Sequence, residues 1–250
     1  MPEHVSDGAG RPPRPQPAKT TSGRIRVACV VTDLDRTFTT PELTLDEEAL
    51  RATQRLRALG VRLILATGRG IRVLSDRPAL TRAFDGFVLE GGAVWGRPGE
   101  WRTAGDPSAV QKLADELKAK GVNVRRRRSS CSIAARDAAA VQASAAAGRC
   151  ALHRNRDRID VVPAGIDKAT GVRKWLEEWG LSEDQVVAIG DAENDLALFG
   201  ASGYNVAVAN AVPELQAAAD LVTPEPASRG FAWLARERLA GPEPKGEDDL

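Results

Sequence analysis

The sequence predicts an α/β protein, a doubly wound parallel sheet interrupted by a smaller α+β unit. Three observations point there. Short apolar, β-branched runs alternate with amphipathic helical segments over most of the chain. Several of these runs end in carboxylates or small polar residues, as buried parallel strands do when their carboxyl ends face a ligand. The charge is also split. Residues 97–165 carry 14 basic and 7 acidic side chains, although the whole chain balances 35 Lys plus Arg against 34 Asp plus Glu. A basic middle and an acidic remainder suggest two units with different tasks.

The elements follow in order. Residues 1–23 are rich in Pro, Gly and polar side chains and predict a disordered tail, as do residues 241–250. Val27–Val31 reads as the first buried strand and runs into Thr32 and Asp33. Asp46–Leu59 reads as a helix with Leu50, Leu56 and Leu59 on its apolar side and Gly60 just past its end. Val61–Ala66 is a second strand, followed by Thr67-Gly68-Arg69. Ile71–Arg82 reads as a helix broken at Pro78, and Gly86–Glu90 as a third strand. From about Trp101 the pattern changes. A helix (Pro107–Lys120), an extended strand or hairpin (Val122–Ala135), an Ala-rich helix (Asp137–Ala147) and a hairpin (Cys150–Val162) make the small α+β unit. The sheet pattern then resumes with a helix over Lys168–Trp179, strands at Gln185–Gly190 and Asn205–Ala209, and helices over Pro213–Ala219 and Ala227–Leu239. The expected organisation is a core domain of residues 24–96 and 166–240, with residues 97–165 inserted as a second unit.

Composition excludes several classes. A chain of 250 residues with 42% hydrophobic side chains can bury a core without disulfides. No apolar run reaches the roughly 18–20 residues of a membrane span. The near-neutral balance argues against nucleic acid as a partner. Cys29, Cys131 and Cys150 lack metal-binding spacing, and no signal-peptide pattern opens the chain, so reduced thiols and a cytoplasmic location are expected.

Four polar clusters sit at strand ends or at a helix start: Asp33-Leu34-Asp35-Arg36-Thr37, Thr67-Gly68-Arg69, Lys168, and Gly190-Asp191-Ala192-Glu193-Asn194-Asp195. Each alone is weak, since strand-end carboxylates are commonly caps and a lone Lys is commonly a surface residue. In this order, on one sheet edge, they are a much more specific signal than any one of them alone.

With these clusters the sequence resembles the haloacid dehalogenase superfamily of phosphotransferases. The position and α+β composition of the insertion look like the C2-type cap of its IIB branch, which includes Cof-type sugar phosphatases, sucrose-phosphate phosphatases, archaeal-type phosphoglycolate phosphatases and phosphomannomutases. The resemblance implies a Rossmann-like core, an aspartyl-phosphate on Asp33 and proton transfer by Asp35. It also implies Mg²⁺ held by Asp33, the Asp35 carbonyl and Asp191, with Asp195 behind them. Thr67, Gly68, Lys168 and Asn194 would contact the phosphoryl group. The expected function is Mg²⁺-dependent hydrolysis of a small anionic phosphorylated metabolite, a sugar phosphate or phosphoglycolate-like ester, by a monomer or homodimer. A phosphomutase and a non-catalytic binding protein on the same fold are the alternatives. The family usually has Gly where this chain has Arg36, and the expectation is that Arg36 keeps an ordinary backbone conformation, the alternative being that it adds a positive group near the phosphate. Arg69 and, in the cap, Arg125, Arg127, Arg154 and Arg156 are candidate specificity residues, with a carboxylate or a second anionic group of the substrate as their target. Alternation along a strand lets at most two of Arg125–Arg128 face the site.

Overall fold

The computed structural model describes residues 16–144 and 146–242. β1 (Ile25–Arg26) leads into β2 (Cys29–Asp33), followed by α1 (Glu47–Ala58), β3 (Arg62–Ala66), α2 (Arg72–Asp76), α3 (Pro78–Ala83) and β4 (Gly86–Leu89). A hairpin of β5 (Val94–Arg97) and β6 (Glu100–Thr103) comes next, then α4 (Ser108–Ala119), β7 (Arg125–Arg126), β8 (Cys131–Ala134), α5 (Ala138–Gln142), β9 (Cys150–Asn155) and β10 (Arg158–Pro163). The chain continues through α6 (Lys168–Trp179), β11 (Val186–Gly190), α7 (Leu196–Phe199), β12 (Tyr204–Ala207), α8 (Pro213–Ala218), β13 (Leu221–Val222), α9 (Ala227–Glu237) and β14 (Leu239–Ala240).

The large sheet has eight strands in the order β13-β12-β11-β2-β3-β4-β5-β6. It is parallel from β13 to β4 and antiparallel at β5 and β6. The predicted doubly wound parallel sheet is therefore present, with an antiparallel edge. All five residues of β2 are buried, and since side chains alternate faces, both faces of the sheet are covered. Phe38 lies edge-on to Phe84 and Phe231 at 4.9 and 5.1 Å in the main core. α6 begins with a capping box between Asp167 and Thr170 and ends at Gly180 with φ 65°, the boundaries expected from the sequence. Its Trp175 is buried and donates Nε1–H to the Phe87 carbonyl at 3.1 Å. No described helix is long and apolar enough to cross a membrane.

The second sheet is antiparallel, in the order β7-β8-β10-β9. It has its own hydrophobic cluster, in which Val110, Leu113 and Leu117 of α4 pack on Cys131, Ile133 and Val161. All three cysteines are free.

Several expectations need correction. Arg97 and Glu100–Thr103, expected in the inserted unit, are β-strand in the large sheet, joined by a turn at Pro98-Gly99. Arg97 and Arg102 lie over the rings of Trp175 and Trp95, at 4.7 and 4.6 Å from their centroids, so this charged segment is held by its arginine stems. The expected helix over 137–147 stops at Gln142. Ser144 there accepts a bond from the Ala146 N–H and donates to Glu116, offering the backbone a non-helical alternative. On α1, Leu59 is 42% exposed, and the buried stripe is Ala49, Ala52, Thr53 and Leu56. The last helix ends at Glu237, and Leu239–Ala240 pair with β1 instead. Of the expected N-terminal tail, residues 1–15 lie outside the described residues, whereas Lys19 bridges Ile25 and the Ala18 carbonyl accepts the Arg26 N–H. Residues 243–250 of the expected C-terminal tail also lie outside.

Candidate active site

The carboxyl ends of β2, β3 and β11 meet the start of α6 at one edge of the large sheet. Asp33 is the last residue of β2, Thr67 and Gly68 follow β3, Asp191 follows β11, and Lys168 opens α6. The side chains converge. Lys168, only 2% exposed, donates to Asp33 Oδ1 and to Asp195 Oδ1, both at 2.6 Å. Asp195 accepts the Asp191 and Ala192 N–H groups on Oδ2 at 2.9 and 3.0 Å. Both its oxygens are thus engaged, and it braces the loop after β11.

Burial pushes the Asp33 carboxyl well above its ordinary range, Lys168 pulls it down, and Asp195, Asp191 and Asp35 add to the rise. Burial opposes the Lys168 charge, but Asp195 and Asp33 outweigh it and hold the ammonium protonated. Asp191 is pushed up to about 6 by burial and by Asp195, against its bonds from Arg156 and Thr37. Oxygens of Asp33, Asp191 and Asp195 all lie within 4.8 Å of one another. An all-carboxylate set whose buried charges repel matches a hard divalent cation.

Asp35 lies two residues past Asp33, in a tight turn closed by the Thr39 N–H on the Leu34 carbonyl at 2.8 Å. Its Oδ2 accepts Arg69 Nε–H at 2.7 Å, while Oδ1 is buried without a hydrogen-bond partner. Arg36 does not keep the expected ordinary backbone. Its φ of 61° and ψ of 11° are left-handed. Thr39 Oγ1 accepts its N–H and Asn210 Nδ2 donates to its carbonyl, so the surroundings hold the strained turn. A left-handed non-glycine residue costs roughly 1–2 kcal/mol, part of which glycine returns through its looser unfolded chain. Arg36→Gly is therefore expected to stabilise the fold by about 0.5–1 kcal/mol in urea unfolding. An unchanged or lower midpoint would contradict this account.

The smaller sheet closes the site into a cleft of about 160 Å³. Asp33, Asp35, Thr67, Gly68, Arg69, Asp191 and Asn194 line it from the large sheet, and Arg125, Arg127 and Arg156 from the smaller one. Arg126 instead binds Gln111 and Asp115 on α4, as strand alternation predicts. Arg156, left-handed at φ 55° in the β9–β10 turn, places its guanidinium on Asp191 Oδ2. Arg154 does not reach the cleft. It pairs with Glu193 at 3.5 Å with its side chain 65% exposed, so its predicted place beside a substrate is corrected.

Sequence reasoning missed two residues here, Asp160 and Glu90, whereas Arg158 is one of the arginines around the predicted cap turn. Arg158 and Asp160 of β10 also line the cleft. Glu90, just past β4, is 2% exposed and accepts from the N–H groups of Arg128 and Ser129 and from Ser130 Oγ. It anchors the turn that carries Arg127. A carboxylate ending a third apolar strand was the available signal, the same one that singled out Asp33.

Gly68 lies directly against β10 of the smaller sheet. A Cβ there would fall 2.6 Å from Asp160 Oδ2. Gly68→Ala is expected to leave the melting temperature nearly unchanged. It should wedge the smaller sheet away and lower kcat/KM about 10- to 100-fold, since small displacements of positioning groups are costly. Steady-state phosphate release beside a thermal melt would show whether this holds.

A model of haloacid dehalogenase-like hydrolases matches residues 30–79 and 143–234. The chain is 31% identical over 213 residues to a phosphoglycolate phosphatase of Methanothermobacter thermautotrophicus, covering 83% of this chain and 96% of that protein. Among solved structures, Thermoplasma acidophilum 0175 superposes with TM-score 0.73 at 19% identity, over 84% of this chain and 96% of that one. The subclass IIB sugar phosphatase BT4131 does so with TM-score 0.66 at 20% identity, over 79% and 93%.

Proposed function

The chain belongs to the haloacid dehalogenase-like hydrolases and is a phosphatase, and from that premise we propose that it hydrolyses a small phosphate monoester through an aspartyl-phosphate on Asp33, with Mg²⁺ as cofactor. The observation that carries this reading is the contact of Lys168 with Asp33 and Asp195 at the floor of a cleft that Asp35 and Thr67 also line. Residues 97–165 then act as the cap, less the strand residues that complete the large sheet. The relatives and the modest cleft support a sugar phosphate or phosphoglycolate-like substrate.

The chemistry follows from the side chains. Asp33 attacks phosphorus, and the bond to the leaving oxygen breaks. That oxygen takes a proton from Asp35, whose Oδ1 is unspent because Arg69 holds only Oδ2. Asp35 then takes a proton from water, which attacks the aspartyl-phosphate, releases phosphate and restores Asp33. Lys168 keeps the Asp33 carboxylate fixed and partly neutralised, and Thr67, Gly68 and Asn194 contact the phosphoryl oxygens. Mg²⁺, held by Asp33, Asp191 and the Asp35 carbonyl, would supply positive charge where phosphate meets Asp33. Two unit charges about 4 Å apart repel by roughly 4 kcal/mol at an effective dielectric of 20.

The test is a phosphate-release screen over phosphorylated metabolites with Mg²⁺ and with chelator. Release that depends on Mg²⁺, with acid-stable label on the protein during turnover, is expected. Release unaffected by chelator would remove the metal from the proposal.

A further inference from the structure

The smaller sheet presents a second cluster of positive charge that the phosphoryl chemistry does not use. Register explains it. Arg125 pairs with Ser132 on β8, and Ser132 pairs with Asp160 on β10. Arg127 and Arg158 each lie two residues from a member of that row, so all five share one side of the sheet. Arg125, Arg127, Arg158 and Asp160 line the cleft. Ser132 Oγ lies 3.4 Å from Arg127 Nη2 and 2.9 Å from Arg158 Nη2, so one hydroxyl holds two guanidiniums side by side.

The cluster is under-neutralised. Arg69 is paired with Asp35, and Arg156 with Asp191. Arg127 has only Asp160, at 3.5 Å and without a hydrogen bond through the buried Nη1. Among the described residues, Arg125 and Arg158 form no ion pair, and Arg158 Nε is buried without a partner. Burial and the neighbouring Arg125 charge hold Arg158 below the ordinary guanidinium range. Like charges held together with unspent donors are costly unless an anion completes them.

We propose that Arg125, Arg127 and Arg158 form a second oxyanion subsite for a tetrahedral phosphoryl group remote from Asp33, so that the preferred substrates are small bisphosphorylated molecules. The geometry favours phosphate over carboxylate. A carboxylate is planar, carries one charge and is satisfied by one guanidinium fork. Donors on three separate positions of two strands and a turn need a ligand with oxygens in several directions. With Asp160 offsetting one of three arginines, the remaining charge matches a dianion. This deepens the phosphatase reading and rests on it only for the phosphoryl group at Asp33.

The experiment uses matched three-carbon esters with Mg²⁺: propane-1,3-diyl bisphosphate, 3-(phosphooxy)propanoate and propyl phosphate. The bisphosphate should exceed propyl phosphate in kcat/KM by about 30-fold or more and should also exceed the carboxylate. In Arg158→Gln and in Arg125→Gln that ratio should shrink to a few-fold. A ratio near one, a carboxylate ahead of the bisphosphate, or a ratio untouched in both variants would overturn the proposal. Calorimetry with propane-1,3-bisphosphonate against propylphosphonate separates the two readings. If no ester is hydrolysed but the bisphosphonate binds more tightly and loses that advantage in the variants, the subsite stands and the hydrolase reading fails. Equal binding of the two phosphonates would overturn the subsite. Arg125 is exposed, so Arg125→Gln carries the test if Arg158→Gln does not fold.

Discussion

Asp33→Asn is expected to lower phosphate release by about 10⁴-fold or more while leaving the protein at least as stable as before. The amide fills the same volume at the end of β2 but cannot attack phosphorus. Burial and three nearby carboxylates make the Asp33 charge costly against the pull of Lys168, so a neutral group there removes repulsion. Lys168 keeps Asp195 as its partner at 2.6 Å. Both outcomes can be read on one preparation, by phosphate release and by thermal melting. Turnover surviving in the variant would take the nucleophile's role from Asp33. A large fall in melting temperature would mean that the Asp33–Lys168 contact stabilises the fold, contrary to the electrostatics described.

Lys168→Met should have the opposite balance. It removes the cation from a pocket where three carboxylates approach within 4.8 Å. Breaking a buried pair from one side typically costs about 3–5 kcal/mol, and the same loss should abolish turnover. The deficit should depend on pH. Carboxylates whose folded pKa is raised bind more protons folded than unfolded, so their repulsion is relieved as pH falls through the folded value. For Asp191, already at about 6, that window begins near neutrality. Urea unfolding at pH 7.5 and pH 5 should therefore show the gap between wild type and variant narrowing on acidification. A gap that stays constant or widens would contradict the assignment of Lys168 as the counter-charge of this cluster.

The catalytic edge was legible because its signals are local. Cys29–Asp33, Arg62–Ala66 and Val186–Gly190 are nearly continuous apolar runs, and a run buried on both faces announces itself without any partner. The polar residues at their ends then fall on one edge by topology alone. What was missed depends on distant contacts. Glu100–Thr103 carries no strand signal of its own and falls in the predicted insertion, and its place in the large sheet depends on Arg102 lying over Trp95. The left-handed Arg36 depends on Asn210, and the role of Glu90 depends on a turn some 40 residues away. In the arginine-rich stretch, alternation separated Arg125 and Arg127 from Arg126. It did not reveal that Arg156 would be taken up by Asp191 or that Arg154 would turn to Glu193.

The buried side chains of the two sheets form separate clusters with no residue in common. Such a division lets inheritance act on each part at its own pace. Changes at Arg125 or Arg158 alter what is selected without disturbing how Phe38 or Trp175 pack beneath the chemistry. The anchors a transplanted selector has to reproduce include the turn that Glu90 holds, the Arg156 contact with Asp191, the Arg154 contact with Glu193, and the fit of Asp160 against Gly68. The molecule is thereby arranged as a fixed engine beneath an exchangeable keyhole.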